Sequence, residues 1–243
     1  MNGFWAVFKR ELKGYFSTPV AYVFLVIFLF FAGYLPFREG FFELRQADLR
    51  LLFRALPLLF IFMVPSTAMR LWAEERKTGS AELLLTLPIT IPQAVLGKFF
   101  AAWVFLGIAL LLTFPMSAAI LYLGHPDKGL ILTGYLGSFL MAGGFLAVGS
   151  FFSALTKNQV ISFILSVVAC GILVYAGMPT TLEYLSTSLS PSLLSLMENI
   201  SFLTHFESIQ RGVIQIRDLA YFVILIAAWV YACMLVLEER KAD

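Results

Sequence analysis

The chain has 243 residues, of which 60% are hydrophobic, 16% aromatic and only 13% charged. A soluble domain carries about 45–50% apolar and about 25% charged residues, so this composition excludes an ordinary water-soluble fold and points to lipid as the solvent. The net charge of +2, spread along the chain rather than gathered in a basic stripe, argues against nucleic acid as a partner.

Residues 1–17 read as an amphipathic helix. Trp5, Phe8, Leu12, Tyr15 and Phe16 recur at three- and four-residue steps, while Lys9, Arg10 and Lys13 take other faces. Such a helix suits the inner headgroup region, with aromatics in the acyl boundary and cations near anionic lipid. Its alternative place is against the rest of the protein. No short apolar core with a small-residue cleavage site precedes it, so no removable signal is expected.

Residues 18–237 hold six stretches long and apolar enough to cross about 30 Å of hydrocarbon: 18–37, 51–71, 93–123, 129–155, 160–178 and 219–237. Backbone in lipid must satisfy its own hydrogen bonds, and no barrel-like alternation is present, so an all-α, polytopic membrane fold of six transmembrane helices is expected. Lys and Arg placement sets the orientation. With the N-terminus inside, Lys9, Arg10, Lys13, Arg70, Arg76, Lys77, Lys98, Lys157, Arg240 and Lys241 are cytoplasmic, and Arg38, Arg45, Arg50, Arg54, Lys128, Arg211 and Arg217 lie outside. Both termini, including a short tail at 238–243, are then cytoplasmic. Residues 179–217 fall outside the membrane core, yet Leu189, Leu193, Leu196, Met197, Ile200, Leu203 and Phe206 keep helical spacing. With Pro179 and Pro191 as punctuation, one or two short helices are predicted there, re-entrant or interfacial at the outer face.

The segment 72–92 is the most informative connection. Helix two is expected to continue through Glu74, Glu75 and Arg76, with Lys77 favouring its C-terminal end and Gly79 closing it in the left-handed conformation. Ser80 then caps a short helix with Glu82 in its first turn; Leu83, Leu84 and Leu87 give it an apolar face, and Pro88 ends it. A small amphipathic helix on a stiff stem suits docking into a groove of a soluble partner, the alternative being a connector packed on its own bundle.

The run Glu74-Glu75-Arg76-Lys77-Thr78-Gly79-Ser80, followed by Glu82-Leu83-Leu84-Leu85-Thr86-Leu87-Pro88-Ile89, resembles the cytoplasmic signature of ABC exporter permeases of the type 2 superfamily. Its branch resembles the gliding-motility permease, related to the permease of nitrous-oxide-reductase maturation. A second similar stretch contains Ser201, His205, Phe206, Arg211, Gly212, Arg217 and Asp218, an outer motif of unknown role. The resemblance implies a permease of the bacterial cytoplasmic (inner) membrane, paired with a second copy or a homologous permease. It also implies separate ABC ATPase subunits that carry ATP and Mg, coupled to this chain through Glu74, Glu75, Arg76, Gly79, Ser80, Glu82, Leu83, Leu84, Leu87 and Pro88, with Ser80–Leu87 as the coupling helix. An auxiliary envelope protein is a further partner the branch admits.

No catalytic, cofactor or metal site is expected in the chain itself. Gly97-Lys98 lacks the spacing and the following hydroxyl of a phosphate loop, so Lys98 reads as an interface anchor of span three. Around Ser150 the glycine positions of an intramembrane serine protease hold Val148 and Phe151, and His125 and His205 lie outside the spans. Small residues Gly143, Gly144, Gly149, Ser150 and Ser153 point instead to close helix packing. Cys170 and Cys233 read as small buried hydrophobes. Apart from Arg54, one turn into span two, the spans read as poor in charge, which disfavours an ion-coupled secondary transporter. A membrane scaffold that transmits motion to an envelope or motility complex, without transport, is the competing class.

Overall fold

A computed structural model describes residues 3–39, 49–79, 89–124, 126–187 and 189–242. All regular elements among them are helices: α1 (Gly3–Ser17), α2 (Pro19–Arg38), α3 (Arg50–Ala68), α4 (Ala73–Thr78), α5 (Ile91–Leu111), α6 (Phe114–Leu123), α7 (Lys128–Leu155), α8 (Gln159–Tyr175), α9 (Pro179–Ser186), α10 (Pro191–Ile200), α11 (Phe202–Gln210) and α12 (Ile216–Ala242). Among the described residues, five helical stretches are long and apolar enough to cross a membrane, or six when α8 and α9 count as one bent span. The chain is an all-α polytopic membrane protein.

Two of the expected spans are not single rods. Span three breaks after Leu111 and restarts at Phe114, because Pro115 has no N–H for the Leu111 carbonyl. Span five ends at Tyr175, and α9 leaves it at 75°. At 17 residues α8 is at the short end of the ~17–25 residue range for a spanning helix. The segment after it forms three short helices, α9 to α11, where the sequence suggested one or two.

The α7 helix is the centre of the bundle, packed against α3, α5, α8, α11 and α12. Its small residues make this possible. A Cβ on Gly149 would lie 2.4 Å from the Cβ of Ala68 on α3, and one on Gly143 would lie 2.7 Å from the Trp103 ring on α5. Glycine lets neighbouring side chains seat directly on the α7 backbone, where the packing contacts that hold helices together in lipid are made. Phe60, Phe145, Phe202 and Phe222 fill the adjoining core, all buried. By contrast α2 and α12 expose most of their apolar surface, as lipid-facing helices do.

The α1 helix lies along α5. Phe4, Val7, Glu11 and Tyr15, spaced for one helix face, meet α5: Val7 sits at Gly97, Phe4 meets the Phe100 ring at 6.2 Å, and Tyr15 stacks on Phe105 at 4.7 Å. Trp5 is exposed, while the half-exposed Phe16 ring meets the edge of Phe105 at 5.9 Å.

Candidate functional site

The sequence expects helix two to run unbroken into the charged stem. Instead the helix stops at Ala68 and restarts at Ala73. Ser153, near the end of α7, joins the two pieces. Its hydroxyl donates to the Met69 carbonyl at 3.0 Å and accepts from the Trp72 and Ala73 amides, both at 3.0 Å. One buried side chain thus satisfies three backbone groups that the break would leave unpaired. The Arg76 guanidinium donates to the Ala154 carbonyl, and Arg240 from α12 donates to the Leu155 carbonyl at 3.1 Å. Both cations lie at the C-terminal end of α7, where free carbonyls and the helix dipole favour positive charge. Gly79 closes α4 at φ 73°, as its position in the sequence indicates.

The other side of the stem is fixed by charge. Lys98 is no interface anchor: it is 2% exposed. Its ammonium lies 2.8 Å from Glu75 on α4 and 3.1 Å from Glu11 on α1, and 5.4 Å from the ring centroid of the buried Trp72. Arg10 adds a partly exposed cation, 2.7 Å from Glu11 and 3.6 Å from Glu75. Burial disfavours the Glu11 charge, but the Lys98 ammonium and the Arg10 guanidinium outweigh that and hold its carboxyl below the usual carboxylate range. A cavity of about 380 Å³ adjoins the cluster, lined in part by Tyr15, Arg70 and Glu74. The spans are therefore not as poor in charge as their sequence suggests, since Lys98 lies inside the third.

Three helices, α4, α5 and the sequence-distant α1, thus meet on one ammonium, directly before the segment expected to dock a partner. Ser80, Glu82, Leu83, Leu84, Leu87 and Pro88 lie outside the described residues, so the structure places the stem of the expected coupling helix and not the helix itself. Glu74, Glu75, Arg76 and Gly79 are placed on that stem. The profile of the CcmB protein family matches residues 3–175, which include the cluster, the stem and α7. The chain belongs to the CcmB family. This is an ABC-type permease family, whose members are the membrane component of an ABC transporter with the ATPase on a separate subunit. A search of curated proteins finds no match to the chain.

The outer motif falls outside the matched CcmB region, and the structure brings half of it together. His205 on α11 and Asp218 in the first turn of α12 are both 4% exposed, with Nδ1 2.7 Å from Oδ1. The His205 Nε2–H donates to the Asn199 carbonyl at 3.0 Å, since a carbonyl can only accept, and Nδ1 faces the Asp218 carboxyl. The imidazole stacks on Tyr221 at 3.9 Å. Arg217 donates to the Asn199 side chain. Phe206 is buried, Arg211 is exposed, and Gly212 turns the chain at φ 85°. The helix of the last span starts at Ile216, before the predicted 219, which carries Asp218 into the span. No group of three or more metal-ligating side chains is present among the described residues.

Sequence reasoning missed Glu11, Lys98 and Ser153. The only sequence signal was a lysine inside an otherwise apolar run, and such a residue calls for a buried partner.

Proposed function

We propose that the chain is the membrane-spanning half of an ATP-driven exporter, placed in the bacterial inner membrane and worked by ABC ATPase subunits that dock on residues 80–88. The observation that carries this reading is the fixation of the α4 stem. Ser153 and Arg76 hold it to α7, and Lys98 holds it to α1 and α5. A push on the docking segment would then displace packed helices rather than a slack loop, which is what coupling requires. The active unit would contain a second permease, identical or homologous. The resemblance of the 74–89 and 201–222 stretches supports placement near the gliding-motility and nitrous-oxide-reductase maturation permeases.

The test is Leu84→Asp, which would place an unpaired carboxylate in the partner's groove at a cost of several kcal/mol. Purified in mild detergent from its native membranes, the wild-type chain should bring a phosphate-loop ATPase with it. The variant should lose that partner while melting at the wild-type temperature. A variant that melts early yet keeps the ATPase would show that 80–88 packs on its own bundle and would end this reading.

A further inference from the structure

At the end of α3 opposite the stem, α3 and α11 line a cavity of about 540 Å³, within the ~300–1,000 Å³ range of ligand pockets. Its lining is of two kinds. Among its described lining residues, Leu51 and Phe206 are apolar, Arg50, Arg54 and Arg211 are cations, and Glu207 is the one carboxylate. Glu207 is already engaged by Arg211 at 3.3 Å, so it does not neutralise Arg54. Arg54 makes the case sharper. It lies one turn inside a membrane-spanning helix, its side chain is exposed, and none of the ion pairs among the described residues includes it. An arginine at such a depth pairs with an anion or reaches water, and marks a functional position by default. The N-terminal end of α3, where Arg50 stands, adds the positive end of the helix dipole.

We propose that this cavity binds an anionic phospholipid, with the phosphate held by Arg54 and Arg211 and the glycerol and upper acyl chain against Leu51 and Phe206. A small soluble anion would satisfy the arginines and leave the apolar lining wet. A zwitterionic lipid would satisfy the apolar lining and bring its own cation against the arginines. A lipid with net negative charge meets both demands. Its position gives it leverage, because α3 leads into the stem at its other end while α11 carries His205 of the outer motif. The bound lipid would tie these two elements together. This proposal stands apart from the exporter reading, because it concerns the isolated full-length chain.

The experiment is lipid retention by the purified chain in detergent, read by native mass spectrometry. Phosphatidylglycerol and phosphatidylcholine with identical acyl chains are the probes. The wild type should retain phosphatidylglycerol in preference. Arg54→Gln and Arg211→Gln should each lower that preference about fivefold, the worth of one arginine near a lipid surface. Arg54→Lys should keep most of it, and Arg38→Gln, an equal loss of charge elsewhere, should keep all of it. Unchanged lipid-free melting temperatures would show that the variants fold. If both glutamine variants match the Arg38→Gln preference, the proposal fails. It also fails if soluble glycerol phosphate displaces the lipid at equal concentration, for the cavity is then a free-anion site.

Discussion

Replacing Lys98 by Met tests whether the charge cluster holds the stem. The ammonium side chain is 3% exposed and sits between two carboxylates at 2.8 and 3.1 Å. Removing one partner from a buried ion pair costs about 3–5 kcal/mol, because the remaining charge stays buried without compensation. Here the loss should fall near the lower end. The Glu11 and Glu75 side chains are 20% and 18% exposed, and Arg10 reaches both. A loss of about 3 kcal/mol corresponds to a melting temperature lower by about 6–12 °C for a chain of this size. The assay is thermal unfolding in detergent, with Lys157→Met, an exposed lysine in the α7–α8 connection, as the control for charge alone. Neutralising all three groups, with Glu11→Gln and Glu75→Gln added, should recover most of the loss, since an apolar replacement of a whole buried charge cluster is often close to neutral. The reasoning fails if Lys98→Met melts with the wild type. It fails equally if the triple variant is as unstable as the single one, for Lys98 would then act by its packing rather than its charge.

Glu11 should make the same link pH-sensitive in a defined direction. Its carboxyl is held below the ordinary range in the fold, so its contribution is complete above the unfolded value and is lost as pH falls through the folded one. Wild type should therefore lose more melting temperature than Glu11→Gln on acidification below about pH 4, and equal losses would remove Glu11 from the account. Ser153→Ala should destabilise by about 2 kcal/mol or more, because it orphans the buried Trp72 and Ala73 amides; exposed Ser195→Ala should be silent, and two equally mild variants would contradict the role given to Ser153. Gly149→Val should abolish a monodisperse gel-filtration peak, since its Cβ would meet the Ala68 Cβ at 2.4 Å, whereas Gly171→Val, which meets nothing within 4 Å, should leave it. A well-behaved Gly149→Val would mean that α3 and α7 pack less tightly than described.

The fold was legible where one physical rule decided it. The apolar length of each span is a one-dimensional property, so the helix-forming stretches could be found from sequence, and the glycines and serines of α7 announced close packing because small residues have no other common use at that density. The breaks were harder to foresee. Pro115 sits in a run that hydropathy scores as continuous, and only the loss of one backbone donor interrupts the helix there. The break at 69–72 has no proline or glycine within it to mark it. It depends on Ser153, which lies on another helix and supplies the missing hydrogen bonds. A tertiary partner of that kind cannot be seen in the local sequence.

The site shows the same division more sharply. Glu75 stood out in the sequence because it belongs to a charged run beside Gly79, but its partners did not. Lys98 occupies the second turn of a spanning helix, where spacing alone reads as a lysine reaching for the headgroups. What contradicts that reading is α1, which covers the position. The Cβ of a residue at 97 would lie 2.9 Å from Val7, so Gly97 lets α1 approach closely, and α1 then brings Glu11 to the ammonium. The glycine and the lysine are adjacent in sequence. Together they specify a helix that packs closely at one residue and supplies a counter-charge at the next. A lysine beside a glycine in the first turns of a membrane span is thus better read as a docking site for a neighbouring helix than as a snorkelling anchor whenever an amphipathic segment elsewhere in the chain carries an acidic residue one turn from its apolar face. In this chain that residue is Glu11, four positions after Val7. The pairing explains why the amphipathic α1 and the charged stem, which look like separate features in the sequence, form one structural unit.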